Sequence, residues 1–189
     1  MPRPKQLHDP QVLRAIAHPV RNRILAELDA RGSLRAADLA RELDIPANQA
    51  SFHLRQLAKY GLIEEDPAAA RDKRDRVWRV VNEGGFSVEM RDMEKQPGGK
   101  AASRVFRENR RTWGRLVVDS VFEKRAKGTH STLTDSALLL NNEEAAQLSA
   151  ELGDVIDRWT ERTRGGGSDR ITYLYYAALM PYPAPPGAD

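Results

Sequence analysis

Six polar residues in a short stretch have the types and spacing to do chemistry: Asn48, Gln49, Ser51, Arg55, Gln56 and Lys59. They are interleaved with Ala50, Leu54 and Leu57, which recur at helical intervals. If those three apolar side chains point inward, Asn48, Ser51, Phe52 and Arg55 point outward, flanked by Gln49, Gln56 and Lys59. Asn and Gln amides offer a donor and an acceptor that match an adenine edge. Arg55 matches guanine or a phosphate, and Ser51 suits either. Phe52 has two readings: it packs against thymine methyl groups, or it folds back onto the hairpin that follows. For the whole stripe the plain alternative is an ordinary solvated helix face.

A second cluster, Arg71, Lys73, Arg74 and Arg76, alternates with Asp72 and Asp75 in a polar loop. It reads as a phosphate or minor-groove contact, or as a charged loop with no partner. His53 borders the apolar side of its helix, which favours a half-buried histidine that fixes the helix or touches a phosphate over a catalytic or metal role. Asp119 and Glu123 share a face at i, i+4, but no histidine joins them before His130. His8 and His18 are isolated. The chain has no cysteine, which excludes disulfides, thiolate metal sites and cysteine nucleophiles. No phosphate-cradling glycine loop, nucleophile elbow or paired catalytic carboxylates stand out. The expectation is therefore no catalytic residues, no metal, no cofactor and no enzyme.

These clusters sit in the basic part of a chain of net charge +3. Residues 1–82 carry 15 Lys/Arg against 11 Asp/Glu, residues 83–130 carry 11 against 7, and residues 131–189 carry 4 against 9. A basic front suits a polyanionic partner, while the acidic back suits something else. No apolar run approaches the roughly 18 residues of a membrane span. No apolar segment of the kind a signal peptide needs follows Met1-Pro2-Arg3-Pro4-Lys5, so a cytoplasmic protein is expected.

The elements that must position the clusters can be read from periodicity. A flexible arm covers 1–8. Asp9 caps a helix that has Pro10 at its first position, with Val12, Leu13, Ile16 and Ala17 inward. After His18-Pro19, a helix from Pro19 to Ala30 buries Val20, Ile24, Leu25 and Leu28. A short helix, Arg35 to Leu43, buries Ala37, Leu39, Ala40 and Leu43. Asp44-Ile45-Pro46 breaks the chain, and a helix from Ala47 to Tyr60 is closed by Gly61. Leu62–Glu65 and Val77–Val81 then form a hairpin whose tip is the charged loop.

Two short helices joined by a three-residue turn and followed by such a hairpin make a winged helix-turn-helix. Ala40 and Ala50 allow close approach, and Ile45 plugs the turn. The run from Ile16-Ala17-His18-Pro19-Val20-Arg21 through Ser51-Phe52-His53-Leu54-Arg55-Gln56-Leu57 to Ile63, with the wing through Trp78, resembles the ArsR-type winged-helix regulators over residues 9–82. The resemblance implies a bacterial, dimeric, DNA-binding transcription regulator, commonly a repressor released by a ligand. It implies that Asn48, Gln49, Ser51, Phe52, Arg55, Gln56 and Lys59, with Arg71, Lys73, Arg74 and Arg76, face a pseudo-palindromic operator in double-stranded DNA.

Beyond residue 82 the resemblance is silent. Residues 83–99 read as a linker with a short strand at Phe86–Met90. Residues 100–130 read as a dimerisation helix with Val105, Phe106, Trp113, Leu116 and Val117 on one side and Arg104, Arg107, Arg111 and Arg115 on the other. Phe106, Trp113 and Val117 are the expected homodimer contacts. The arginines either extend a phosphate-binding surface or pair with the acidic last third. Residues 131–182 read as strand, helix, strand, with strands at Leu133–Leu140 and Ile171–Met180. Trp159, Tyr173, Tyr175 and Tyr176 there are candidates for a small-molecule effector pocket, or for an enlarged dimer interface. A disordered tail, 183–189, ends the chain. The expected fold class is α+β: a winged helix-turn-helix, a long helix and a small C-terminal region. The rival reading is a protein- or small-molecule-binding module that uses the winged helix as an interaction surface, with DNA secondary.

Overall fold

A computed structural model describes residues 5–72, 75–123, 128–167 and 169–183. The architecture is mixed helix and strand, and the chain forms two compact units. One comprises Met1–Gly114 with Thr163–Thr172, the other Arg115–Arg162 with Tyr173–Asp189.

In the first unit, strand β1 (Lys5–Gln6) leads to helix α1 (Pro10–Ala17), then α2 (Pro19–Arg31). Asp9 caps α1, its carboxylate accepting from the Gln11 N–H at 2.7 Å. His18 is the extended residue between the two helices, and Gly32, with φ of 83°, ends α2. Strand β2 (Leu34–Arg35), α3 (Ala36–Leu43), α4 (Ala47–Lys59), β3 (Ile63–Glu65) and β4 (Val77–Val80) follow. The α3–α4 turn is tight. Asp44 adopts the left-handed region at φ 52°, and the Ile45 N–H reaches back to the Ala40 carbonyl at 3.0 Å.

The sheet order is β2-β4-β3, antiparallel throughout. Leu34 stands opposite Trp78, and Ile63 opposite Val80. The pattern of β4 is buried, buried, exposed, buried, as fits a central strand pressed against helices. Leu13, Ile24, Leu28, Leu39, Leu54, Leu57 and Leu62 form the centre of one core. Ala37, expected inside, is exposed; it lies in the first turn of a two-turn helix whose buried side is carried by Leu39.

Several boundaries differ from expectation. Residues 5–7 are not a free arm: Lys5 and Gln6 pair in parallel with Phe86 and Ser87 of β5 (Phe86–Ser87), and Leu7 is buried. The predicted strand over Phe86–Met90 is only those two residues long. Glu89 instead caps a short helix, α5 (Met90–Lys95), by accepting from the Arg91 N–H. Helix α6 (Gly99–Val121) begins with a glycine whose Cβ would collide with the Met93 carbonyl, so only glycine fits there. The buried positions of α6 are Gly99, Ala102 and Ser103, and Phe106 packs against the winged-helix core of its own chain. Val105 and Leu116 are exposed. The expected single apolar face is thus split.

In the second unit, Asn141 caps α7 (Asn142–Thr163), accepting from the Glu143 and Glu144 N–H groups. The flanking strands predicted at Leu133–Leu140 and Ile171–Met180 are not formed. Both runs lack regular structure, because a strand needs a neighbour to take its hydrogen bonds and none is supplied among the described residues. Among the described residues, no helix is long and apolar enough to cross a membrane.

Candidate nucleic-acid interface

Helix α4 is anchored by Ala50, His53, Leu54 and Leu57, all buried. The opposite face is open: Asn48, Gln49, Phe52, Arg55 and Lys59 are exposed, and Ser51 and Gln56 are half-buried. Asn48 closes the first turn, its amide oxygen accepting from the Gln49 N–H at 2.9 Å. Arg55 makes no ion pair among the described residues and is free to meet an anion. Phe52 is 51% exposed, and its ring meets His53 edge-on, with centroids 5.3 Å apart.

Inside the helix, the His53 ring stacks on His18 with centroids 4.7 Å apart. His53 is 4% exposed. The Nδ1 atoms of both rings are buried without a hydrogen-bond partner, as is Nε of the nearby Arg21. Burial pushes both imidazoles below the usual histidine range. Arg21 adds to the effect at His18, and the His18 ring and then Arg21 add to it at His53. These histidines therefore form a neutral wedge between the start of α2 and the middle of α4. His53 is a structural residue, as its place on the wheel suggested. Its stacking on His18 brings together residues too far apart in sequence for periodicity to relate them.

The wing is held by a pair that sequence reading did not single out. The Arg35 guanidinium donates from Nε to both carboxylate oxygens of Asp75, at 2.7 and 2.9 Å. Asp75 also accepts from the backbone N–H of Arg71 at 3.1 Å and from its guanidinium at 3.3 Å. The Arg35 hydrogen bond and then these contacts hold the Asp75 carboxyl far below the usual carboxylate range. The alternation of Asp72 and Asp75 with arginines was legible as a charge pattern, but not that one acid folds the loop onto the N-cap of α3. Arg71 and Arg76 project from this loop, Arg76 lying 3.5 Å from Glu65, and both are exposed. Lys73 and Arg74 lie outside the described residues.

Of the candidate dimer contacts, Phe106, Trp113 and Val117 are each half-buried, Phe106 against its own core. Of the arginine stripe, Arg107 pairs with Glu94 of α5 at 2.6 Å rather than with the acidic last third; Arg110, outside the stripe, lies over the Phe106 ring. Trp159 is exposed beside Arg162, whose guanidinium lies 3.6 Å from the ring centroid. Tyr173, Tyr175 and Tyr176 are about half exposed on the run after α7. The cleft beside Trp159 is lined by Val155, Arg158, Glu161 and Arg162, all from the same helix, so it is a groove on one surface rather than an aromatic box. Among the described residues, no group of three metal-ligating side chains is present.

Within the first unit, a further link joins Thr172 to α2. Glu27 is 1% exposed and faces Arg23 at 2.7 Å and Arg31 at 2.9 Å, while the Thr172 hydroxyl donates to it at 2.7 Å. Arg31 continues to Glu42 of α3 at 2.8 Å.

Residues 16–66 match a family described as a helix-turn-helix domain, the stretch from α1 through α4 to the first wing strand. No match to a curated protein is found. Among solved structures, the chain is similar to Lactococcus lactis ZitR at 17% identity and a TM-score of 0.33, covering 76% of this chain and 83% of that one. The YusO protein from Bacillus subtilis is similar at 12% identity and a TM-score of 0.32, with 77% and 79% covered. A MarR family regulator from Neisseria meningitidis is similar at 18% identity and a TM-score of 0.29, with 79% and 76% covered. Residues 16–66 are thus similar to a helix-turn-helix domain, and the β3–β4 hairpin follows α4 where a wing would stand.

Proposed function

We propose that the protein is a sequence-specific DNA-binding transcriptional regulator of the ArsR-type class, acting in the cytoplasm as a homodimer. The observation that carries the reading is the exposed polar face of α4, with an Arg55 at its middle that makes no ion pair among the described residues, on a helix-turn-helix whose wing is tied down by Arg35 and Asp75. A helix of this kind enters a major groove about 12 Å wide. Two copies would place their α4 helices in successive grooves about 34–36 Å apart, on a pseudo-palindromic operator. Asn48, Gln49, Ser51, Arg55 and Gln56 then meet base edges, and Lys59, Arg71 and Arg76 meet phosphates.

The same proposal includes repression relieved by a small-molecule effector. A cleft of about 500 Å³ in the first unit, lined by polar Ser33, Arg79, Asn82 and Arg164 and apolar Leu28 and Val80 among others, has the size for one.

Mobility shift of genomic fragments at two salt concentrations tests the DNA reading. The expected result is a saturable complex with selected fragments that weakens with salt. A salt-sensitive smear without selectivity would reject it in favour of an interaction module.

A further inference from the structure

The second unit has the sequence of a packed layer and none of its burial. Among the described residues after Ser103, not one is buried. Helix α7 has 22 residues and no buried position, yet Leu152, Val155 and Trp159 lie along one side of it, exposed. An isolated helix gains little stability from propensity alone; it needs its apolar face covered.

The runs on either side of α7 have the complementary deficit. Leu133–Leu140 and Tyr173–Met180 pass without turn or bend, and none of their backbone groups is hydrogen-bonded among the described residues. Their side chains are apolar and exposed: Leu133, Leu138, Leu140, Tyr173, Leu174, Tyr175, Tyr176, Leu179 and Met180, with Leu139 at 102%. Tyr173–Met180 contains no charged residue and Leu133–Leu140 only Asp135. The two runs start close together, the Tyr173 hydroxyl accepting from the His130 N–H at 3.2 Å, but they do not pair.

We propose that these runs are the strands of a sheet shared between two copies of this chain, each copy covering the α7 face and pairing the strand edges of the other. Only another extended backbone can supply donors and acceptors along two whole runs. A second copy has the matching deficit: two unpaired runs and one uncovered helix face. The scale fits as well. Trp159 and the three tyrosines, at roughly 150–250 Å² each and about half exposed, leave on the order of 400 Å² open. That is about half of the ~800 Å² that each partner of a standard interface covers. The leucines and Met180 account for the remainder.

This inference rests on the homodimer named above and specifies where it closes. The test combines the mass of the full chain in solution, by light scattering, with hydrogen exchange read peptide by peptide across a dilution series. A dimer is expected, with amides of 133–140 and 173–180 exchanging slowly at high concentration and fast once the dimer dissociates. Replacing Tyr175→Pro, which removes one donor from an exposed run, should weaken dimerisation at least tenfold while the helix content is retained. A dimer whose two runs exchange freely would overturn the shared sheet and leave the homodimer standing on another surface. Slow exchange that ignores dilution would overturn it too, since the pairing would then lie within one chain. A monomer at all concentrations would overturn both.

Discussion

The rings of His18 and His53 lie 4.7 Å apart, one at the start of α2 and the other in the middle of the helix that carries the exposed polar face. Among the described residues neither Nδ1 has a partner, and burial first, then the neighbouring charges including Arg21, disfavours protonation of either ring. A proton on one imidazole meets the other ring 4.7 Å away and the nearby Arg21.

Stability should therefore depend on pH in a stated direction. Both folded-state values lie below the ordinary value of about 6.5, so on acidification the unfolded chain takes up these protons first. The contribution is complete above that value and is lost as pH falls through the folded-state values. The urea midpoint is expected to be flat from pH 8 to 7 and to drop between pH 6.5 and 5. Replacing His18 by Phe should flatten that drop. An unchanged midpoint down to pH 5 in the natural chain would contradict the neutral wedge.

Arg55 separates base reading from phosphate binding. Arg55→Ala should cost about 1–3 kcal/mol of operator affinity and relax preference at one base position. Binding-site selection with the variant checks this. A uniform loss across all sequences would make Arg55 a phosphate contact.

Asp75 acts through Arg35 and Arg71 rather than on DNA. With its carboxyl held far below the usual range, the pair stays charged throughout the physiological pH range. Asp75→Ala should free the wing, weaken every sequence by a similar factor and leave the selected site unchanged. Titrations of the operator and of a scrambled duplex would show the two losses side by side.

Thr172→Val tests the link from Thr172 to Glu27 of α2. The hydroxyl donates to a buried carboxylate, and a hydrogen bond to a charged group contributes about 1.5–3 kcal/mol. Thermal unfolding should shift downward by a corresponding few degrees. Glu27→Ala should shift it further, since Arg23 and Arg31 lose their partner as well.

Local chemistry made much of the N-terminal unit readable before any coordinates. Asp9 and Pro10 start α1, Pro46 starts α4, and Gly61 follows its end, because caps and proline act through the nearest backbone groups. Leu39, Leu54 and Leu57 repeat at helical spacing and are buried, and the polar face of α4 follows by subtraction. Relationships across long stretches of chain left no periodic trace. Lys5 and Gln6 look like a polar arm until Phe86 and Ser87 give them a neighbour. Arg35 reads as the first residue of a helix until it pairs with Asp75, 40 residues away. Phe106 reads as an outward apolar residue until the core of its own chain reaches it.

The C-terminal third shows the converse. Leu133–Leu140 and Ile171–Met180 have the composition of strands, but composition expresses only a preference. A strand exists when a second backbone satisfies its hydrogen bonds, and among the described residues that backbone is not in place. Helix α7 closes its turns mostly within its own segment, with Asn141 as its cap; the runs beside it need a second backbone.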